Sequence, residues 1–167
     1  MGLPLLMISW LWNTILLLLG KKMALQEQDF TIEKGSSFIL EFQLTKDDGT
    51  ALELAKLNAY NQYGIGNYSF RTKFRKTKYK SGNPAYSLSA VDVLQIDEEQ
   101  LGRTGDGFYV IASKPGFVRF TMSPASTASI KHGKYFYDIE VVEGTTGNYQ
   151  ITKALTGRMS IEEEVTK

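Results

Sequence analysis

Six basic residues, Arg71, Lys73, Arg75, Lys76, Lys78 and Lys80, fall within ten positions and interleave with Phe74 and Tyr79. In a strand, Arg71, Lys73 and Arg75 share one face, because successive side chains point to opposite sides. A basic face with aromatic neighbours suits three roles. It can contact nucleic acid, dock an acidic protein through complementary charge, or discourage edge pairing. The formal net charge of +1 gives no global pull toward a polyanion, which weighs against the first.

Other chemistry is sparse. His132 is the one histidine and there is no cysteine, so disulfides, thiolate metal sites and a histidine cluster within one chain are excluded. A catalytic histidine would have to be His132, which sits in a turn between Lys131 and Gly133. The acidic runs Asp97-Glu98-Glu99 and Glu162-Glu163-Glu164 lack the spacing of a calcium loop. Gly64-Ile65-Gly66 lacks the third glycine and the helix of a phosphate-binding turn. No catalytic residue, cofactor, metal or small-molecule substrate is expected.

The elements that must carry the basic run read as strands. Phe38, Leu40, Phe42 and Leu44 alternate with more polar residues, and Tyr68, Phe70, Thr72 and Phe74 alternate with Ser69, Arg71, Lys73 and Arg75. Lys46-Asp47-Asp48-Gly49-Thr50 predicts a hairpin with a type I′ turn. Asn58–Gln62 is a further strand of mixed polarity, and Val91–Leu101 is either an acidic-faced strand or a short helix. Phe108–Ala112 and Phe117–Met122 are strands, and Ser123 caps a helical turn over Pro124–Ser129. Tyr135–Val141, Tyr149–Lys153 and Arg158–Glu162 predict three short strands, the last two separated by a bend at Gly157. Many short strands punctuated by Gly or Pro indicate an all-β antiparallel sandwich in one domain, 23–167. Phe38, Phe42, Phe120, Tyr137 and Ile139 are its expected core.

Residues 1–22 differ in composition. Leu3–Leu19 carries no charge, and Lys21-Lys22 closes the run. Three readings stand: a start of translation at Met23, a short apolar helix serving as membrane anchor, or a secretory signal. The lysines follow the apolar run, which is the reverse of a signal's order.

The order of segments resembles small immunoglobulin-like virion structural proteins of tailed phages, as known from marine phages and cyanophages. The resemblance rests on Asp29-Phe30-Thr31-Ile32-Glu33-Lys34-Gly35, Asp47-Asp48-Gly49-Thr50, Phe120-Thr121-Met122-Ser123-Pro124, Gly133–Glu140 and Gly157–Ile161, closing with Val165-Thr166. It implies an immunoglobulin-like sandwich in the tail, baseplate or head-to-tail region, located in the virion after assembly in the host cytoplasm. Its partners would be other virion proteins, or further copies of itself. Lys76–Gly107 departs from the short form of this plan and reads as an insertion. Interfaces of this kind draw affinity from a few aromatic or Arg anchors, for which Tyr109, Phe136 and Arg119 are candidates. Two alternatives remain: a membrane-anchored sandwich, if Leu3–Leu19 inserts, and a carbohydrate-binding one, since exposed tyrosines stack on sugar faces.

Overall fold

In Phe38–Gln43 and Tyr68–Arg75 the buried side chains, Leu40 and Phe42 in the first and Phe70, Thr72 and Phe74 in the second, alternate with more exposed ones, the pattern of strands with one packed face. The computed structural model describes residues 23, 25–54, 56–57, 63–64, 68–78, 83–90, 93–96, 105–111, 113–145 and 148–163. The basic residue Lys80, the apolar run Leu3–Leu19 and the strand expected over Asn58–Gln62 lie outside them. Among the described residues no helix is long and apolar enough to cross a membrane.

The strands are β1 (Gln26–Glu27), β2 (Phe30–Glu33), β3 (Phe38–Gln43), β4 (Lys56–Leu57), β5 (Tyr63–Gly64), β6 (Tyr68–Arg75) and β7 (Tyr86–Ala90). They continue as β8 (Val93–Ile96), β9 (Gly107–Ile111), β10 (Phe117–Met122), β11 (Gly133–Thr145) and β12 (Asn148–Glu162). The single helix among the described residues, α1 (Pro124–Ser129), joins β10 to β11. One sheet runs β1-β12-β11-β6-β7, with β2 also on β12, and the second runs β3-β10-β9-β8. Strands β4 and β5 pair with each other.

The protein is an all-β sandwich. With β3, β10 and β9 in the places of strands B, E and D, and β12, β11, β6 and β7 in those of G, F, C and C′, the order is immunoglobulin-like. Tyr135, near the start of β11, donates its hydroxyl to the Lys131 carbonyl at 2.6 Å, the tyrosine corner of such sandwiches. Burial of that hydroxyl pushes its pKa up, so it remains a donor. The sheets are not purely antiparallel: β1 and β2 run parallel to β12, and β8 runs parallel to β9. Residues 76–107 contribute one edge strand to each sheet, β7 to one and β8 to the other, and Val93–Ile96 is strand and not helix.

Aromatic rings bridge the two sheets. Phe70 stacks on Phe108 at 5.4 Å, Phe108 on Phe120 at 4.9 Å, and Phe74 meets Phe120 edge-on at 6.3 Å. Phe42, Phe120, Tyr137 and Ile139 are buried as expected, while Phe38 is partly buried at the rim, stacked on Phe30.

Three local expectations need correction. The Lys46–Thr50 turn is a three-residue loop: Gly49 N–H donates to the Lys46 carbonyl, Lys46 N–H donates to Thr50, and Gly49 has φ +80°. That is a type I turn closed by a glycine bulge, not the two-residue type I′ turn. Tyr149–Lys153 and Arg158–Glu162 are not separate strands but parts of the continuous β12. Gly157 makes no bend. A Cβ there would stand 2.1 Å from the Gln28 carbonyl oxygen, so glycine lets the crossing from β1 to β2 lie against β12. Gln28 N–H donates to Thr156, Arg158 N–H donates to Asp29 Oδ1, and the Tyr137 hydroxyl donates to Gln28.

Candidate functional site

The outer face of the larger sheet is built by alternation in three adjacent strands. In β6, Phe70, Thr72 and Phe74 point inward, which sends Arg71, Lys73 and Arg75 outward. In β11, Tyr135, Tyr137, Ile139 and Val141 are buried, so Phe136, Asp138 and Glu140 face out. In β12 the inward set is Leu155, Gly157, Met159 and Ile161. Continued without interruption, that period would turn Lys153 into the core. A bulge prevents it: Leu155 pairs with Ile139 and Lys153 with Glu140, leaving Ala154 as the extra residue. The bulge re-aims Lys153, Ile151 and Tyr149 to the outer side, where Tyr149 and Ile151 are among the most exposed large apolar residues described.

Register then brings the charges together. Arg71 faces Glu140 and Lys73 faces Asp138 across the β6–β11 ladder, and Arg75 faces Phe136. Arg71 Nε lies 2.5 Å from Glu140 Oε2, and Lys153 Nζ lies 2.9 Å from Asp138 Oδ2. The Arg158 guanidinium stands 5.8 Å from the centre of the Phe136 ring, and Lys76 stands 5.9 Å from that of Tyr135. At the far end of the sheet, on its core-facing side, the Tyr68 hydroxyl is 3.1 Å from Glu143. Partial burial and that carboxylate push its pKa up to about 12. A shallow recess of about 90 Å³ opens over β11, lined by Lys73, Arg75, Lys78, Phe136, Asp138 and Lys153 among others.

Of the expected basic residues, the structure therefore gathers Arg71, Lys73, Arg75 and Lys78 on one face or at its margin. Lys76 is exposed just beyond β6 and lies over Tyr135. Reasoning from sequence missed Lys153, Arg158 and the two carboxylates between them and β6. Alternation in Tyr135–Val141 already marks Asp138 and Glu140 as outward, but nothing local reveals that β6 is their neighbour. Two of the anchor candidates fail. Tyr109 is 6 % exposed and Arg119 7 %, and Arg119 Nε is held 2.7 Å from Glu41, so neither is free to reach another molecule. Phe136 is partly exposed on the outer face.

A pocket of about 350 Å³ groups His132, Ser160 and Glu163 at the other end of the hairpin. His132 Nδ1 lies 3.5 Å from Glu163 Oε1, with both side chains mostly exposed. No hydrogen bond joins Ser160 to His132 in the structure, so the linked nucleophile, base and orienting carboxylate of a triad are not assembled there. Among the described residues no group of three or more His, Asp or Glu side chains could hold a metal ion.

Away from the sheet, Asp106 acts as a structural junction. It accepts hydrogen bonds from the Tyr86 hydroxyl at 2.8 Å, from Ser123 N–H at 2.7 Å and from the Ser126 hydroxyl at 2.5 Å. These tie β7 to the start of α1. Burial raises the Asp106 pKa, but the hydrogen bonds outweigh it and hold the carboxyl below its usual range.

No protein-family model matches the chain, and no curated protein matches it either.

Proposed function

We propose that this chain is a non-enzymatic structural protein of a tailed-phage virion, acting as a rigid sandwich that packs against other virion proteins. The observation that carries this reading is the outer face of the larger sheet. Arg71, Lys73, Arg75, Lys153 and Arg158 surround Asp138 and Glu140 there, with Phe136, Ile151 and Tyr149 exposed or partly exposed among them. Mixed charge with scattered aromatic and aliphatic groups on a stiff support is the chemistry of a protein-binding surface. A nucleic-acid backbone would meet two carboxylates in the middle of that face, which disfavours a continuous polyanion. The resemblance of the Asp29–Gly35 and Gly133–Glu140 phrases to phage sandwich proteins supplies the setting.

Co-expression of the full chain with the products of its neighbouring genes tests the proposal. The expected result is a stable complex, weakened by salt, with no hydrolytic activity. A chain that stays monomeric alongside every one of them, or that turns over an ester, peptide or glycoside, contradicts it.

A further inference from the structure

Internal pairing on the outer face is incomplete. Glu140 is engaged by Arg71, and Asp138 by Lys153. The side chain of Lys73, the residue directly across the ladder from Asp138, makes no ion pair or hydrogen bond with any described residue, and neither does that of Lys78. Both line the recess over β11, together with Arg75. The recess thus holds more positive charge than Asp138 can balance, in a concave place where neighbouring cations reinforce one another.

We propose that this recess receives a side-chain carboxylate from an acidic segment of a docked protein, held between Lys73 and Lys78. The assignment rests on the docking reading above and names its chemistry. Size favours it, since about 90 Å³ admits one compact anionic group and not a base with its sugar. The aromatic floor does not offer a stacking platform, because Arg158 already lies over Phe136. Asp138 and Glu140 beside the recess would repel a second and third phosphate of a nucleic-acid strand, whereas a protein segment can present one acid among neutral or basic residues.

The test is a titration of the isotopically labelled full chain at low salt, read by nuclear magnetic resonance. The probes are an end-blocked hexapeptide with one glutamate among glycine and serine residues, inorganic phosphate and a twelve-nucleotide oligothymidylate, each applied to wild type and to the Lys73→Gln/Lys78→Gln double variant. Saturable peptide binding is expected to shift the Lys73, Phe136 and Asp138 signals, to weaken with salt and to fall about tenfold in the double variant. A Lys34→Gln variant, on the turn after β2, is expected to bind as wild type does. An unchanged amide spectrum away from the recess will show that the double variant is folded. Peptide binding that is absent, or indifferent to Lys73 and Lys78, overturns the inference. Tighter binding of oligothymidylate than of peptide also overturns it in favour of a polyphosphate ligand. Phosphate binding in the recess without peptide binding points to a small anion and equally rejects it. Recess binding of the peptide by a chain that forms no complex with neighbouring gene products would uphold the carboxylate site and reject only the virion reading.

Discussion

Lys153 Nζ lies 2.9 Å from Asp138 Oδ2, although the register partner of Asp138 on β6 is Lys73. The bulge at Ala154 makes this possible by turning Lys153 outward, and it leaves Lys73 unspent. Charge reversal should therefore act differently at neighbouring positions. Arg71→Glu sets two like charges opposite each other at Glu140, and should lower stability by about 1 kcal/mol. Lys73→Glu faces Asp138 across the same ladder but breaks no ion pair, so it should lower stability by roughly half as much, yet slow docking to an acidic partner, less so as salt rises. Urea midpoints and association rates separate the two. Equal stability losses would show that the Arg71–Glu140 pair is not the one that matters.

Gly157→Ala probes the crossing of the amino-terminal strands. The new methyl meets backbone at Gln28, not the end of a flexible side chain. The variant should lose about 1–3 kcal/mol, with amide exchange accelerated first in β1 and β2. A midpoint equal to wild type would mean that the crossing can lift from β12 at no cost.

Phe120→Ala removes a ring that contacts Phe38, Phe74 and Phe108. The expected loss is about 3–5 kcal/mol, a large part of a domain's usual total of about 5–15 kcal/mol. Chemical denaturation measures it. An unchanged midpoint would place β10 outside the core.

Acidification should act in part through Asp106. Its folded pKa is depressed, so its contribution is complete above the unfolded value of about 3.9 and is lost as pH falls through the folded one. Asp106→Asn should be less stable near neutrality and lose less on acidification. Asp48, depressed by its hydrogen bonds from Thr50, keeps a residual slope in the same window. Urea midpoints from about pH 6 down to about pH 2.5 provide the comparison. Parallel curves for variant and wild type would remove Asp106 from the acid response.

Alternation made β3 and β6 legible from sequence, because one buried face imposes a period of two whatever the partner strand. Partners themselves were not legible. Tyr68–Arg75 shows three outward cations, but that Asp138 and Glu140 lie beside them depends on a ladder between residues about seventy positions apart. Gly157 suggests a bend in the sequence because glycine serves both turns and close approaches, and the Gln28 carbonyl that decides between them is remote in sequence. Tyr149 to Lys153 alternates cleanly by itself. Its outward facing is fixed only by the extra residue Ala154, which looks ordinary in the sequence. Asp106 carries no local sign of its role, since its partners Tyr86, Ser123 and Ser126 converge only once β7 and α1 are in place. Arg119 suggested an anchor, and only the pairing of β10 with β3 shows that Glu41 holds it.

The most direct test of the structural-protein reading is quantitative mass spectrometry of gradient-purified particles encoded by the genome that carries this gene. The account predicts that the chain is present at a fixed ratio to the major tail or head proteins. It also predicts that the triple substitution Arg71→Glu, Lys73→Glu, Arg75→Glu reduces that ratio while the free protein stays folded. Particles that contain none of the wild-type chain would contradict it.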